Sequence, residues 1–443
     1  MRIRVLLLLL FVFCRLHAQG DTWPDGTPVD KWFNDKAKIN IDTLGQKYVI
    51  TEHGVKNDSM LIQTSAIQRV IDMVADKGGG VVVVPRGTFV SGALFFRPGT
   101  HLHLEQGAVL KGSDRIKHFP IRKTRMEGQT LQYFSALINA DSVDGFTITG
   151  GGTIDGNGHS YWEEFWIRRR YNADCTNLEA MRPRLVYISN SANVTVQDVR
   201  LINSPFWTNH LYKCHHVRYI DCHIYAPTEN VYPLEPGRGA PSSDAIDIDV
   251  CHDVLIHGCY MHVNDDAVVL KGGKGTWADK NPDNGSNMNI LIENCRYSKV
   301  HGCLTLGSES LYDRNIILRN CHADNANRVL WLKMRPDTPQ HYEFVTVDNI
   351  TGCCGSFVVV RPWTQFFKPE ERADMPLSCC NDIVLRNIKM DCGNFFDIGR
   401  SDKYVLKNFR LKDINVTDTV GKMDKSLIED IVVSNVTVNG ISM

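Results

Sequence analysis

The residues that can do chemistry in this chain lie between Ser242 and Lys271. Asp244 is followed 21 residues later by the adjacent pair Asp265 and Asp266. Carboxylates brought close together repel one another's charge, which raises at least one pKa and leaves another group ionised. One acid then donates a proton while a second serves as base, the split that cleavage of a glycosidic bond requires. A solvated acidic rim or a calcium site would use the same residue types, so residue type alone leaves three readings open.

Any of these readings needs the two clusters to meet in space, and the intervening chain suggests how. CHHVRYIDC (214–222), CHDVLIHGC (251–259), NMNILIENC (287–295) and DRNIILRNC (313–321) are copies of one degenerate unit, a turn residue followed by a β-branched run and a small residue. Their closing cysteines are 37, 36 and 26 residues apart, and weaker copies continue to residue 438. Periods in this range mean stacked units. Helical halves, leucine patterns and blade signatures are all missing, which leaves a parallel β-helix whose coils pair with the coils above and below. Coils stacked about 4.8 Å apart would put Asp244 beside Asp265 and Asp266. Within the first acidic strand, Ile246, Ile248 and Val250 share the parity of the bore, with Asp247 and Asp249 facing out. Asp244 has the inward parity and reaches solvent only if the chain bends near Ala245; Asp265 and Asp266, being consecutive, need a strand end. The repeated Asn and Cys positions are expected to stack inside at the bends.

Ahead of the repeats, residues 57–77 place Ile62, Ala66, Ile67, Val70, Ile71 and Val74 at helical spacing, with Asp58 or Ser59 as N-cap and Gly78–Gly80 as stop. This predicts a helix that plugs the N-terminal end of the bore and protects its edge. Lys plus Arg number 49 against 50 for Asp plus Glu, so no strong field favours nucleic acid or an anionic membrane. Residues 1–18, with Arg2, Arg4 and an apolar run from Val5 to Phe13, read as a cleaved export signal, too short for a membrane span. The expected location is periplasmic or secreted, with residues 19–443 as one catalytic β-helix. The cysteines beyond Cys14 form no C-x-x-C pair, and the adjacent pairs Cys353–Cys354 and Cys379–Cys380 suit neither zinc nor a redox centre; buried free thiols are expected.

Several segments, in order, resemble glycoside hydrolase family 28, the polygalacturonases and related pectin hydrolases. AIQRVIDMVADKGGGVVVVPRGTFVSGALFF and LHLEQGAVLKGS resemble the family's first coils, and GGGTIDGNG (150–158), RPRLVYISN (182–190) and NSPFWTNHL (203–211) continue the likeness. SSDAID (242–247) is similar to the Asn-Thr-Asp-Gly segment, NDDAVVLKGG (264–273) to Asp-Asp, VHGCLTLGSE (300–309) to Gly-His-Gly and VLWLKM (329–334) to Arg-Ile-Lys. The resemblance implies a right-handed, pectin-lyase-like parallel β-helix and an inverting hydrolase of galacturonosyl linkages that needs no cofactor. It makes Asp265 the general acid, has Asp244 and Asp266 hold and deprotonate the attacking water, gives His301 a supporting role and sets Lys333 against a uronate carboxylate. An acid and base that admit a water between them should stand about 6.5–9.5 Å apart.

The departures from the family pattern bear on specificity. Ser242, Ser243 and Ala245 replace Asn, Thr and Gly, and Val300 replaces the first Gly of Gly-His-Gly. Trp331 stands where the family has Arg, removing a bidentate carboxylate clamp and offering a ring face for a sugar. Arg335, Arg361 or Arg328 would supply the missing cation, and the sugar on the leaving side would be other than galacturonate, rhamnose for example. Lys271 and Lys274 follow the acidic pair and reach either a uronate or solvent. Two long inserts, 160–181 and 225–241, flank the expected cleft and would close one end, making an exo-acting monomer with a pectic glycan as its partner. A calcium-dependent lyase on the same fold and a non-catalytic glycan-binding β-helix are the rivals.

Overall fold

The computed structural model describes residues 21–365, 370, 372–420 and 423–443; the export signal expected at 1–18 lies outside them. Twenty-eight strands form one sheet in which almost every neighbour is parallel and belongs to the next coil. One interior ladder runs its length: Val82, Leu102, Ile148, Val196, Tyr219, Ile256, Ile292, Leu318, Val347, Leu385, Leu411 and Val433 pair coil to coil. A second ladder carries Leu211, Ile248, Leu270, Leu306 and Leu332, all with 0% exposure. Each such side chain removed from water contributes roughly 1.5–3 kcal/mol, so the coils are held chiefly by this continuous apolar bore.

The bends explain the repeat. Asp198, Asp221, Gly258, Asn294, Asn320, Asn349, Asn387, Asp413 and Asn435 occupy one corner, coil after coil, all with φ between 52° and 67°. Asn, Asp and Gly tolerate that left-handed conformation best, which is why the repeat keeps them. The following residue turns inward, and Cys222, Cys259, Cys295 and Cys321 stack there, buried and free. The expectation that Asn and Cys both stack inside is therefore half corrected: Asn294, Asn320, Asn349 and Asn387 are exposed, because a residue at the corner points its side chain to solvent. Val250 is corrected likewise, since it sits at a bend with φ 57° and is only partly buried.

The cap helix spans Thr64–Asp76, seven residues later than its expected start, because residues 57–61 form turns in which Asp58 accepts from the Met60 amide. Its stripe of Ile67, Val70, Ile71 and Val74 packs into the core with Val82, Val84 and Leu94. A second helix, His159–Tyr171, occupies the first insert, with Tyr161, Trp162 and Phe165 buried. An antiparallel hairpin, Ile121–Met126 and Gln129–Phe134, stands outside the main sheet. It lies over the outer face of the strands that carry Asp249 and His210, and there its Arg125 is paired with Asp249 at 3.0 Å. Asp247 and Asp249 thus face outward as expected and yet are completely buried.

Candidate active site

Asp244 precedes the strand Ile246–Asp249, and Asp265 and Asp266 precede its stacked neighbour, Val268–Lys271. Both clusters therefore sit at strand entrances, where the backbone turns and strict alternation has not begun. The Ala245 amide donates to the Asp266 carbonyl at 2.9 Å, so adjacent coils clamp the two entrances together. One oxygen from each of Asp244, Asp265 and Asp266 lies within 4.8 Å of the others. This nearest approach of oxygens is shorter than the acid–base separation expected for inversion.

Two further coils complete the surroundings. His301 Nδ1 is 3.5 Å from Asp265 Oδ1, and the His301 amide donates to the Asp265 carbonyl at 2.9 Å. Lys333 Nζ donates to Asp266 Oδ2 at 2.7 Å, while Asp266 Oδ1 has no partner among the described residues. Lys271 Nζ pairs with Glu309 at 3.1 Å and lies 3.8 Å from Asp247. Gly302 is demanded by the site: a Cβ there would meet Thr305 Oγ1 at 2.3 Å and Asp266 Oδ1 at 2.9 Å.

Charge is distributed unevenly. Burial, then repulsion from Asp265 and Asp247, raises Asp244 well above the usual carboxylate range. Burial also pushes Asp265 up, yet the His301 hydrogen bond and the charges of His301, Lys333 and Lys271 outweigh it and leave its pKa lowered. His301 is the reciprocal case, with burial opposing its charge and Asp265 prevailing, so its pKa is raised. Burial raises Asp247 far above its ordinary value against the pull of Lys271. These directions make Asp244 the better proton holder of the two and favour the charged forms of Asp265 and His301.

Asp244, Asp265, His301, Lys271 and Glu309 line a pocket of about 250 Å³ with Trp331, Lys333, Trp363, Ser308 and Gln365, while Asp266 and Asp247 are buried and do not line it. Its hairpin side is closed. Gly128 has φ 71°, and a Cβ there would come within 2.9 Å of Glu309 Cβ, so only glycine lets the hairpin tip seat so tightly. The neighbouring Glu127 accepts from Asn177 Nδ2 at 3.0 Å and lies 3.5 Å from Lys274 Nζ, joining the hairpin to the first insert. That insert is tied to the second by a bond from Trp166 Nε1 to the Gly239 carbonyl at 2.9 Å.

The structure thus brings Asp244, Asp265, Asp266, His301, Lys271, Lys333 and Trp331 together and leaves two of the expected residues apart. Arg335 is buried in a two-point pair with Asp337, at 2.8 and 2.7 Å, and Arg361 is exposed and paired with Asp397. Trp331 offers no open ring: it is 8% exposed, with Arg328 Cζ 3.8 Å and Lys333 Nζ 4.0 Å from its ring centre. The half-buried ring at the mouth is Trp363, set edge-on to Trp331. Among the other family departures, Ser243, Ala245 and Val300 are scaffold residues with at most 1% exposure, whereas Ser242 lines the pocket as Trp331 does. Glu309, Glu127 and Asn177 were missed by reasoning from the sequence. Glu309 ends the segment that resembles Gly-His-Gly and was within reach; Glu127, in the hairpin turn, and Asn177, in the first insert, carry no motif.

A β-helix that stacks three acids, a histidine and two lysines around a small pocket defines an enzyme of acid–base chemistry on a polar, charged ligand. The chain belongs to Glycosyl hydrolases family 28, whose profile matches residues 102–426. It is similar to a probable polygalacturonase of Vitis vinifera, 27% identical over 233 residues, which is 51% of this chain and 44% of that one. This chain therefore aligns with less than half the length of the grape relative. In fold it matches a hyperthermoactive exopolygalacturonase of Thermotoga maritima with a TM-score of 0.69 at 19% identity, covering 93% of this chain and 96% of the other. A family 28 exopolygalacturonase of Yersinia enterocolitica matches with a TM-score of 0.66, also at 19% identity, over 90% and 79% of the two chains.

Proposed function

We propose that this chain hydrolyses α-galacturonosyl linkages of pectic glycans with inversion, working from chain ends as an exported monomer whose residues 19–443 form one catalytic unit. The observation that carries the reading is the stacked trio Asp244, Asp265 and Asp266, compensated by Lys333 and His301; two of its acids, Asp244 and Asp265, line a pocket walled on one side by the hairpin. Asp265 is the general acid; Asp244 and Asp266 hold the water and take its proton. The surrounding cations favour the ionised form of Asp265, so the acid form has to be promoted by the substrate. A uronate entering the pocket brings a like charge, which raises the pKa of the carboxylates it faces, Asp265 included, so that Asp265 takes up a proton from solvent as substrate binds.

Lys333 and Lys271 are the cations in the pocket that meet the uronate carboxylate. Of the three arginines considered in place of the family Arg, Arg328 is the best supported. Among the described residues no carboxylate lies within ion-pair distance of it, and it rests on the Trp331 ring with a bond to the His301 carbonyl at 3.4 Å. A guanidinium held there offers a fork for a second carboxylate, so the leaving-side sugar can be galacturonate as well as rhamnose. The narrow pocket and the closed hairpin side support exo action. Incubation with defined homogalacturonan and rhamnogalacturonan oligosaccharides, with product sizing and anomeric NMR, tests all of this. Release of single galacturonates in the inverted anomer supports it; unsaturated products or internal cuts overturn it.

A further inference from the structure

A larger cavity, about 690 Å³, lies on the other side of the hairpin, and the mechanism makes no use of it. It continues the catalytic floor toward the N-terminus. Tyr187 is in register with His210 and then Asp247, and Tyr212 with Asp249 and then Lys271. The hairpin divides the two: Glu127 lines the catalytic pocket, whereas Arg122, Lys123 and Arg125 line the groove.

Its chemistry is specific. Five cations line it, the fourth and fifth being Arg184 and Lys213, against the two acids Asp141 and Asp283. In a chain whose net charge is −1 that is a local positive field. Arg184 is 1% exposed, and among the described residues no carboxylate pairs with it: its Nη atoms donate to the Arg125 carbonyl, Thr124 Oγ1 and His210 Nδ1, and its Nε has no partner. A buried, uncompensated guanidinium is costly, and an anion placed in the adjoining cavity would offset that cost. Guanidinium groups also brace the aromatic rings of the groove: Arg184 lies 4.0 Å from the Tyr187 centroid, Arg122 4.2 Å from Phe95 and Arg125 5.2 Å from Tyr212. Rigid aromatic surfaces interspersed with a few cations suit an extended ligand that has both apolar sugar faces and carboxylates. The volume exceeds the catalytic pocket's more than twofold, room for several sugars where the pocket admits little more than one.

We propose that this groove is a second glycan-binding site, which holds an acidic oligosaccharide segment away from the scissile bond and so retains polymer at the enzyme. The proposal rests on the acidic-glycan substrate of the preceding section. The probe is trigalacturonate, titrated calorimetrically into full-length Asp265→Asn protein and into the same protein carrying Arg122→Ala and Lys123→Ala, two exposed positions. Two equivalents should bind in the first and one in the second. In the active enzyme the same pair of groove substitutions should raise KM for polymer about fivefold, the loss of two partly exposed charge contacts, while leaving turnover of digalacturonate unchanged. A single equivalent in both proteins, or equal groove binding of carboxyl-reduced oligosaccharide, overturns the proposal. Absence of binding at either site together with no turnover of any galacturonide would instead sink the functional reading on which it rests.

Discussion

Asp265→Asn is the sharpest test of the catalytic assignment, because local electrostatics and chemical role pull apart at this residue. Local electrostatics lower the pKa of Asp265 and raise that of Asp244, so a static reading would make Asp244 the acid. Asparagine is isosteric, and its side-chain oxygen still accepts from the Asp266 amide, a bond of 3.0 Å, so the strand entrance should keep its shape. What disappears is a proton to donate and the charge that holds His301 protonated across 3.5 Å. General acid catalysis contributes about 10²–10⁴-fold, or roughly 3–5 kcal/mol of barrier at 1.36 kcal/mol per tenfold. The assay is kcat/KM on a galacturonate oligosaccharide beside a 4-nitrophenyl galacturonide, whose leaving oxygen needs no proton. Asp265→Asn should lose the full factor on the oligosaccharide and little on the aryl glycoside, whereas Asp244→Asn should lose comparably on both, since water activation serves both substrates. If Asp244→Asn is the variant rescued by the aryl group, the acid and base roles are reversed and the argument from substrate charge fails.

Other consequences are independent of that assignment. His210 is wholly buried with its pKa lowered to about 4, by burial first; its Nδ1 accepts from Arg184 at 2.6 Å and its Nε2 lies 3.4 Å from Asp249, which makes it the neutral Nε2-H tautomer. The unfolded chain binds this proton near pH 6.5 and the folded one only near 4, so the group costs about 3 kcal/mol of stability as pH falls through that window. Denaturant melts of His210→Asn should show that slope reduced. Leu270→Ala, at 0% exposure in the second interior ladder, should cost about 2–5 kcal/mol by the same measurement, and a loss below 1 would mean the bore collapses around the gap. Arg328→Ala should raise KM for homogalacturonan fragments by at least about tenfold, the scale of a charge-assisted two-point contact, with kcat little changed; an unchanged KM returns the missing clamp to some other group. Chelator should leave turnover unchanged, because Lys333 at 2.7 Å already supplies the cation that the aspartate cluster requires; loss of activity restored by calcium would favour the lyase.

Much of this architecture was legible because stacking repeats write themselves into sequence. The β-branched runs named the coils, whereas the Asn and Asp that recur before each inward Cys, expected inside, are left-handed corners that point to solvent, a conformation the β-strand pattern does not announce. Parity correctly aimed Ile246 and Ile248 into the bore and failed at Val250 and Asp244, since alternation holds only where the strand is straight and both lie beyond its ends. Asp247 and Asp249 were read as outward, which is right, and their burial was invisible because the cover is a hairpin more than 110 residues earlier in the chain. Trp331 shows a subtler limit. Its identity announced that a clamp was lost, but whether its ring was free depended on Arg328 and Lys333, the flanking residues that fold back on it.

The coil spacing also decides how the site tolerates its own charge. A coil rise of about 4.8 Å puts residues on successive coils within direct electrostatic reach, where two unit charges at an intermediate dielectric interact by a few kcal/mol. Three carboxylates assembled this way carry both their mutual repulsion and the cost of burial, unless the same stacking supplies cations. It does: the coil after the acidic pair contributes His301, the next contributes Lys333, and the pair's own strand ends in Lys271. Acids enter from the strand beginnings and lysines from the strand ends, so one row of the sheet sets both the catalytic charge and its compensation. Single positions along the row, Trp331 among them, can therefore vary without dismantling the stacked trio or its compensation.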